Sequence, residues 1–161
     1  MSGAVREVKD LIFASIRKSN MDVGHAVNQK GIYLMCAART SVVQAMPQAF
    51  AELVDSGILE SRSGGYFLTQ AGLDAIYPET LAESFQVVWA DVLGFMRRQG
   101  AVEGHIFHQR SFGMTNYMKY NPKQKVVLEE VMQALVKEGV FEHRPDNGLF
   151  LTAKGQSLIH H

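Results

Sequence analysis

The sequence predicts an α+β fold that is mainly α, in which one small unit of helices and a hairpin is used twice. The repeat carries that prediction. Gly65-Tyr66-Phe67-Leu68-Thr69-Gln70-Ala71-Gly72 returns as Gly148-Leu149-Phe150-Leu151-Thr152-Ala153-Lys154-Gly155, with the same Leu-Thr and the same glycine three residues after the threonine. Upstream, the ten residues from Leu53 to Arg62 line up with those from Leu135 to Arg144. Further back, Gly24-His25-Ala26-Val27-Asn28-Gln29 matches Gly104-His105-Ile106-Phe107-His108-Gln109. Size agrees: 161 residues divide into two units of ordinary domain length, and a hydrophobic content of 47% supplies two modest cores. Pro78 marks the break, giving units 1–78 and 79–161.

Taken in order, the first helix is expected over 4–18, with Val5, Val8, Ile12 and Ile16 on one stripe, ended by Ser19-Asn20. Residues 24–39 hold a short second helix, with Val27, Ile32, Leu34 and Met35 as its buried side and Cys36 as a small core residue. Thr40 or Ser41 caps a third helix running to Ser56. Met46, Ala49, Phe50, Leu53 and Val54 face the core, and Ser41, Gln44, Gln48 and Asp55 point outward. Pro47 either kinks this helix or marks its true start. Gly57 is a left-handed helix end, two short strands follow, and Thr69 caps a closing helix.

Thr80-Leu81-Ala82-Glu83 is a capping box that opens the second unit's first helix, about 81–99, with Leu81, Phe85, Val88, Trp89, Val92, Leu93 and Met96 on its apolar face. Asn121-Pro122 serves as cap and first residue of the next long helix. That helix buries Leu128, Val131, Met132, Leu135 and Val136 and turns Lys123, Val126, Glu130, Gln133 and Lys137 outward. Just before it, Asn116, Tyr117, Lys119 and Tyr120 interleave amide, aromatic and basic groups. The second copy's extra residue falls at 145–147, a hairpin tip where Asn147-Gly148 supplies positive φ.

The pattern L-V-x-x-G-I/V-L/F-E-x-R followed by Y/L-F-L-T-x-x-G, present twice, resembles the recognition-helix end, wing and closing helix of bacterial winged helix-turn-helix regulators of the MarR and PadR types. The resemblance implies two such domains in tandem and a sequence-specific protein that binds double-stranded DNA, a transcriptional regulator of bacterial or mobile-element origin. In that family the third helix enters the major groove and the wing touches backbone or minor groove. By resemblance those roles fall on Arg39, Ser41, Gln44, Gln48 and Arg62, and in the second copy on Lys119, Lys123, Lys125, Gln133 and Arg144. Amides and hydroxyls suit base edges, and cations suit phosphate.

Composition pulls the other way. Lys+Arg 16 and Asp+Glu 16 cancel to a formal net charge of +0, and neither repeat has an excess of either sign. DNA affinity would come from local clusters, with a modest salt slope. The alternative is a protein–protein adaptor subunit, a role that tandem winged helices also fill. No phosphate-cradling glycine loop or catalytic constellation is present, so no enzyme is expected. His105 and His108 lie three apart, but one cysteine in the other repeat does not complete a zinc set, so neither metal nor cofactor is expected. A repeated Gly-His-x-x-x-Gln fits a turn glycine with polar residues that fix the second helix or reach a phosphate. One cysteine, no run of about eighteen apolar residues and no leader pattern point to a cytoplasmic protein without a membrane partner. The broad apolar face of 81–99 predicts a homodimer through that helix or the terminal helices.

Overall fold

A computed structural model describes residues 2–161. The chain divides into two compact units, Met1–Pro78 and Glu79–His161. The class is α+β and mainly helical, with two small antiparallel hairpins. Among the described residues no helix is long and apolar enough to cross a membrane.

In the first unit, α1 (Gly3–Lys18), α2 (Gln29–Cys36) and α3 (Thr40–Asp55) precede β1 (Leu59–Arg62), β2 (Gly65–Leu68) and α4 (Gln70–Ile76). Helix α1 buries the predicted stripe of Val5, Val8, Ile12 and Ile16, and the Ser2 hydroxyl caps it by accepting from Val5 N. The chain then lays a short extended segment along the hairpin. Gly24 N donates to Leu68 O at 2.8 Å, Leu68 N to His25 O at 3.0 Å, and Val27 N to Tyr66 O at 2.8 Å. The hairpin turns on Ser63 and Gly64, whose φ values of 49° and 76° make the two-residue turn that matches strand twist. Thr69 caps α4 by accepting from Gly72 N at 2.9 Å, while its hydroxyl donates back to the Gly57 carbonyl, tying helix start to strand start.

In the second unit, α5 (Leu81–Arg98), α6 (Gln109–Thr115), a single 3-10 turn at Tyr117–Lys119 and α7 (Pro122–Lys137) precede β3 (Phe141–His143), β4 (Leu149–Leu151) and α8 (Ala153–His160). The bonds repeat. Gly104 N reaches Leu151 O at 2.8 Å, Leu151 N reaches His105 O at 2.8 Å, and Phe107 N reaches Leu149 O at 2.8 Å. Thr152 caps α8 and donates to the Gly139 carbonyl as Thr69 does to Gly57. Arg17 Nε binds the Ile76 carbonyl and Arg97 Nε the Ile159 carbonyl, so each unit's first helix holds the end of its last. Capping boxes form at Thr80 with Glu83 and at Asn121 with Gln124, and Gly57 and Gly139 both take φ of 76°.

Several expectations are corrected. Leu34 and Met35 are not buried: they are 63% and 50% exposed. Helix α2 has eight residues and offers one inward row, Ile32 and Cys36, four apart, which leaves Tyr33, Leu34 and Met35 outside. Helix α3 runs through Pro47 from Thr40 to Asp55. Its inward row is Val42, Ala45, Ala49, Phe50 and Leu53, with Met46 and Val54 only half-buried. Helix α7 shifts in the same way: Val127, Val131 and Leu135 are buried, and Leu128, Met132 and Val136 half-buried. In α5, Leu81 in the first turn is 53% exposed, Phe85 and Trp89 are half-buried, and Phe95 belongs to the core. At the second hairpin Asn147 alone of the Asn-Gly pair takes positive φ, 60°. Gly148 serves a different end: a Cβ there would come within 2.7 Å of the Phe150 ring.

Candidate functional site

Helix α3 packs on β1, so its outward row and the hairpin belong to one unit's surface. Ser41, Gln44 and Gln48 are exposed on that row, with Arg39 at its amino end. Two of the four are engaged within the chain. Arg39 pairs with Glu7 of α1, and Gln48 Nε2 donates to Glu52 Oε1 at 3.0 Å. Glu52 also takes the Lys9 ammonium, and that bond, ahead of the one from Gln48, holds its carboxyl below the ordinary range. On the hairpin, the Arg62 guanidinium lies 4.2 Å from the centre of the Phe67 ring. Gly65 leaves room for that ring, since a Cβ there would approach it to 3.1 Å.

Helix α7 packs on β3 in the second unit. Its predicted cations are less free than the spacing suggests. Lys123 is half-buried and its Nζ donates to the Glu79 carbonyl at 2.8 Å, while Asn121 binds the Glu79 side chain. Lys125 is half-buried, its Nζ 5.4 Å from the Tyr117 ring centre. Lys119 is exposed in the 3-10 turn. Gln133 is exposed and donates to Glu129 at 3.3 Å, beside exposed Glu130. Arg144 stacks 4.3 Å from the centre of Phe150 and also forks onto Glu142 Oε1 at 3.1 and 2.9 Å.

The repeated histidines have a local job. His25 Nδ1 accepts from Asp22 N and His105 Nδ1 from Val102 N, both at 3.2 Å, which closes the turn before each extended segment. Cys36 is fully buried, and burial pushes its thiol up, away from thiolate chemistry.

Sequence reasoning missed a polar cluster centred on Asp91. The Tyr120 hydroxyl donates to Asp91 Oδ2, and Asn116 Nδ2 to Asp91 Oδ1 at 2.9 Å. The Thr115 hydroxyl donates to Asn116 Oδ1 at 2.6 Å. Burial, reinforced by the bond to Asp91 and opposed by the charge of Arg98, raises the Tyr120 phenol far above its usual range, so it remains a neutral donor. A signal existed: Asp91 is three residues after buried Val88 and four before buried Phe95, one acid on an apolar row. No protein-family model, curated protein or solved structure matches the chain.

Proposed function

We propose that the chain is a sequence-specific binder of double-stranded DNA, a transcriptional regulator built from two winged helix-turn-helix modules. Each unit has three helices, a hairpin and a closing helix in that order. The observation that carries the reading is the duplicated hairpin arginine laid over a phenylalanine, Arg62 on Phe67 and Arg144 on Phe150, next in sequence to an exposed helix. Stacking fixes the guanidinium plane and leaves the hydrogen-bonding edge of Arg62 suited to phosphate oxygens, whereas Arg144 already spends one edge on Glu142. The first unit is the better reader. Its α3 row offers Ser41, Gln44 and Gln48 to base edges, whereas α7 presents Val126, Glu129 and Glu130. The second unit therefore adds little to sequence discrimination.

A second reading, a protein–protein adaptor, is favoured by one observation. The second helix of each unit leaves large apolar groups in solvent, Leu34 at 63% and Met114 at 66%. A helix lying against phosphates would rather carry cations there.

Selection from a random duplex pool, followed by fluorescence anisotropy at two salt concentrations, separates the readings. On the DNA reading Arg62→Ala weakens binding on specific and scrambled duplexes alike, and Gln44→Ala erodes sequence preference by about 1–3 kcal/mol. A chain that retains no duplex even at low salt belongs to the adaptor class.

A further inference from the structure

The second unit holds an open cleft of about 880 Å³, lined by α5, the 3-10 segment and the start of α7. That size falls among small-molecule sites. Asp91 lines it, and its two oxygens each accept from a neutral donor, Asn116 and Tyr120, which leaves each oxygen a further lone pair for a ligand. Both donors are buried, at 8% and 5% exposure, so the group is held in a fixed place. Arg98 and Lys119 line the same cleft, and Val87, Ala90 and Phe95 give it an apolar wall.

The fold does not require this arrangement, and the first unit demonstrates it. Both units' first helices end on the same bonds, Met21 N to Ile16 O and Ala101 N to Met96 O, each at 3.1 Å. In that register Asp91 stands where the first unit has Leu11 and Asn116 where it has Cys36, and Leu11 and Cys36 pack into an apolar core. A polar triad costs desolvation that the apolar version avoids. A cleft in which the polar version stands, with charges of both signs on its walls, is a candidate binding site.

We propose that this cleft binds a free α-amino acid with an apolar side chain, its ammonium on Asp91, its carboxylate on Arg98 and Lys119, and its side chain along Val87, Ala90 and Phe95. A simple anion would meet the Asp91 charge, and a simple amine would meet two cations. The zwitterion satisfies both signs at once. The inference stands apart from the DNA reading, because it concerns a different ligand and shares only Lys119 with the residues expected to touch DNA.

The test is isothermal titration calorimetry of the full chain with leucine and phenylalanine, alongside isoamylamine and isocaproate, which are leucine without its carboxylate and without its amine. Binding of at least one amino acid, absent for the amine and the carboxylate, is the expected result. Asp91→Asn and Arg98→Gln should each weaken it by about tenfold or more. Arg98 is exposed, so its variant decides the matter even if the Asp91 variant does not fold. Silence with both amino acids, equal binding of isocaproate, or undiminished binding by Arg98→Gln overturns the proposal.

Discussion

The two units use the same hydrogen-bonded frame around differently distributed cores. Where the first has Val27, Ile32 and Leu59, the second has Phe107, Phe112 and Phe141, and Phe95 replaces half-buried Ser15. Those four phenylalanines meet edge-on or tilted, Phe95 with Phe112 at 5.3 Å and Phe107 with Phe141 at 5.7 Å. At two neighbouring positions the trade reverses. The first unit stacks Phe50 on Tyr66 at 4.4 Å, and the second has Met132 and Leu149 in those places. Aromatic volume has moved from one set of core positions to another, and the backbone bonds have stayed. The frame is thus set by turns, caps and close approaches, and the core needs only to be filled.

The sharpest way to break the comparison is at the frame. A Cβ on Gly72 would sit 2.2 Å from the Ile58 carbonyl oxygen, and one on Gly155 2.3 Å from that of Val140. Neither neighbour is a flexible side chain end. Gly72→Ala and Gly155→Ala should each cost about 4 kcal/mol, the range reserved for severe steric mechanisms. Hydrogen exchange resolved by unit would show each variant opening its own unit. A variant of either glycine that keeps full protection would mean the frame yields more easily than the geometry says.

Exchanging core residues should cost less. Phe107→Val imports the first unit's residue into an aromatic cluster and leaves a cavity, for about 2–3 kcal/mol. Val27→Phe overfills the aliphatic core for about 1–3 kcal/mol. Urea unfolding checks both. If either exchange is neutral, the two cores are interchangeable at that site and the contrast between them loses its force.

The caps should behave alike in the two units. Thr69→Ala and Thr152→Ala each remove a helix cap together with the bond to a glycine carbonyl, for about 1–2 kcal/mol each. A large inequality between them would show that the closing helices are held differently despite identical bonds.

The smallest effect is in acid. Glu52 is depressed below its ordinary 4.5, first by the bond from Lys9 and then by that from Gln48. A depressed carboxylate adds stability that is complete above its unfolded value and is lost as pH falls through its folded one. The second unit has Ala134 at the matching place. Glu52→Gln should therefore flatten the first unit's acid loss slightly and leave the second unit's unchanged, as pH titration of unit-resolved exchange would read. An equal change in both units would contradict the local origin.

The sequence by itself determined whatever acts over a few residues. The α1 stripe, the glycine helix ends, the Thr69 and Thr152 caps, the Thr80 capping box, the Asn121 cap and the positions of the hairpins follow from periodicity, backbone φ and side-chain-to-amide bonds, whereas α3 starts after Arg39 without the side-chain cap expected of Thr40 or Ser41. What only the tertiary structure decided lies across long separations in the chain. Which row of the eight-residue α2 faces inward depends on α1 and α3, so Leu34 and Met35 read as core and stand in solvent. Gly72 and Gly155 repeat visibly, but their reason is a carbonyl from the residue before β1 or β3 that leaves no room for a Cβ. Lys123 reads as a free cation and instead holds the Glu79 carbonyl. Asp91 looks like a stray acid until Asn116 and Tyr120, twenty-five and twenty-nine residues on, close around it. Local rules fix where elements start and stop because they need only neighbours in sequence; facing, close approach and charge pairing need neighbours in space.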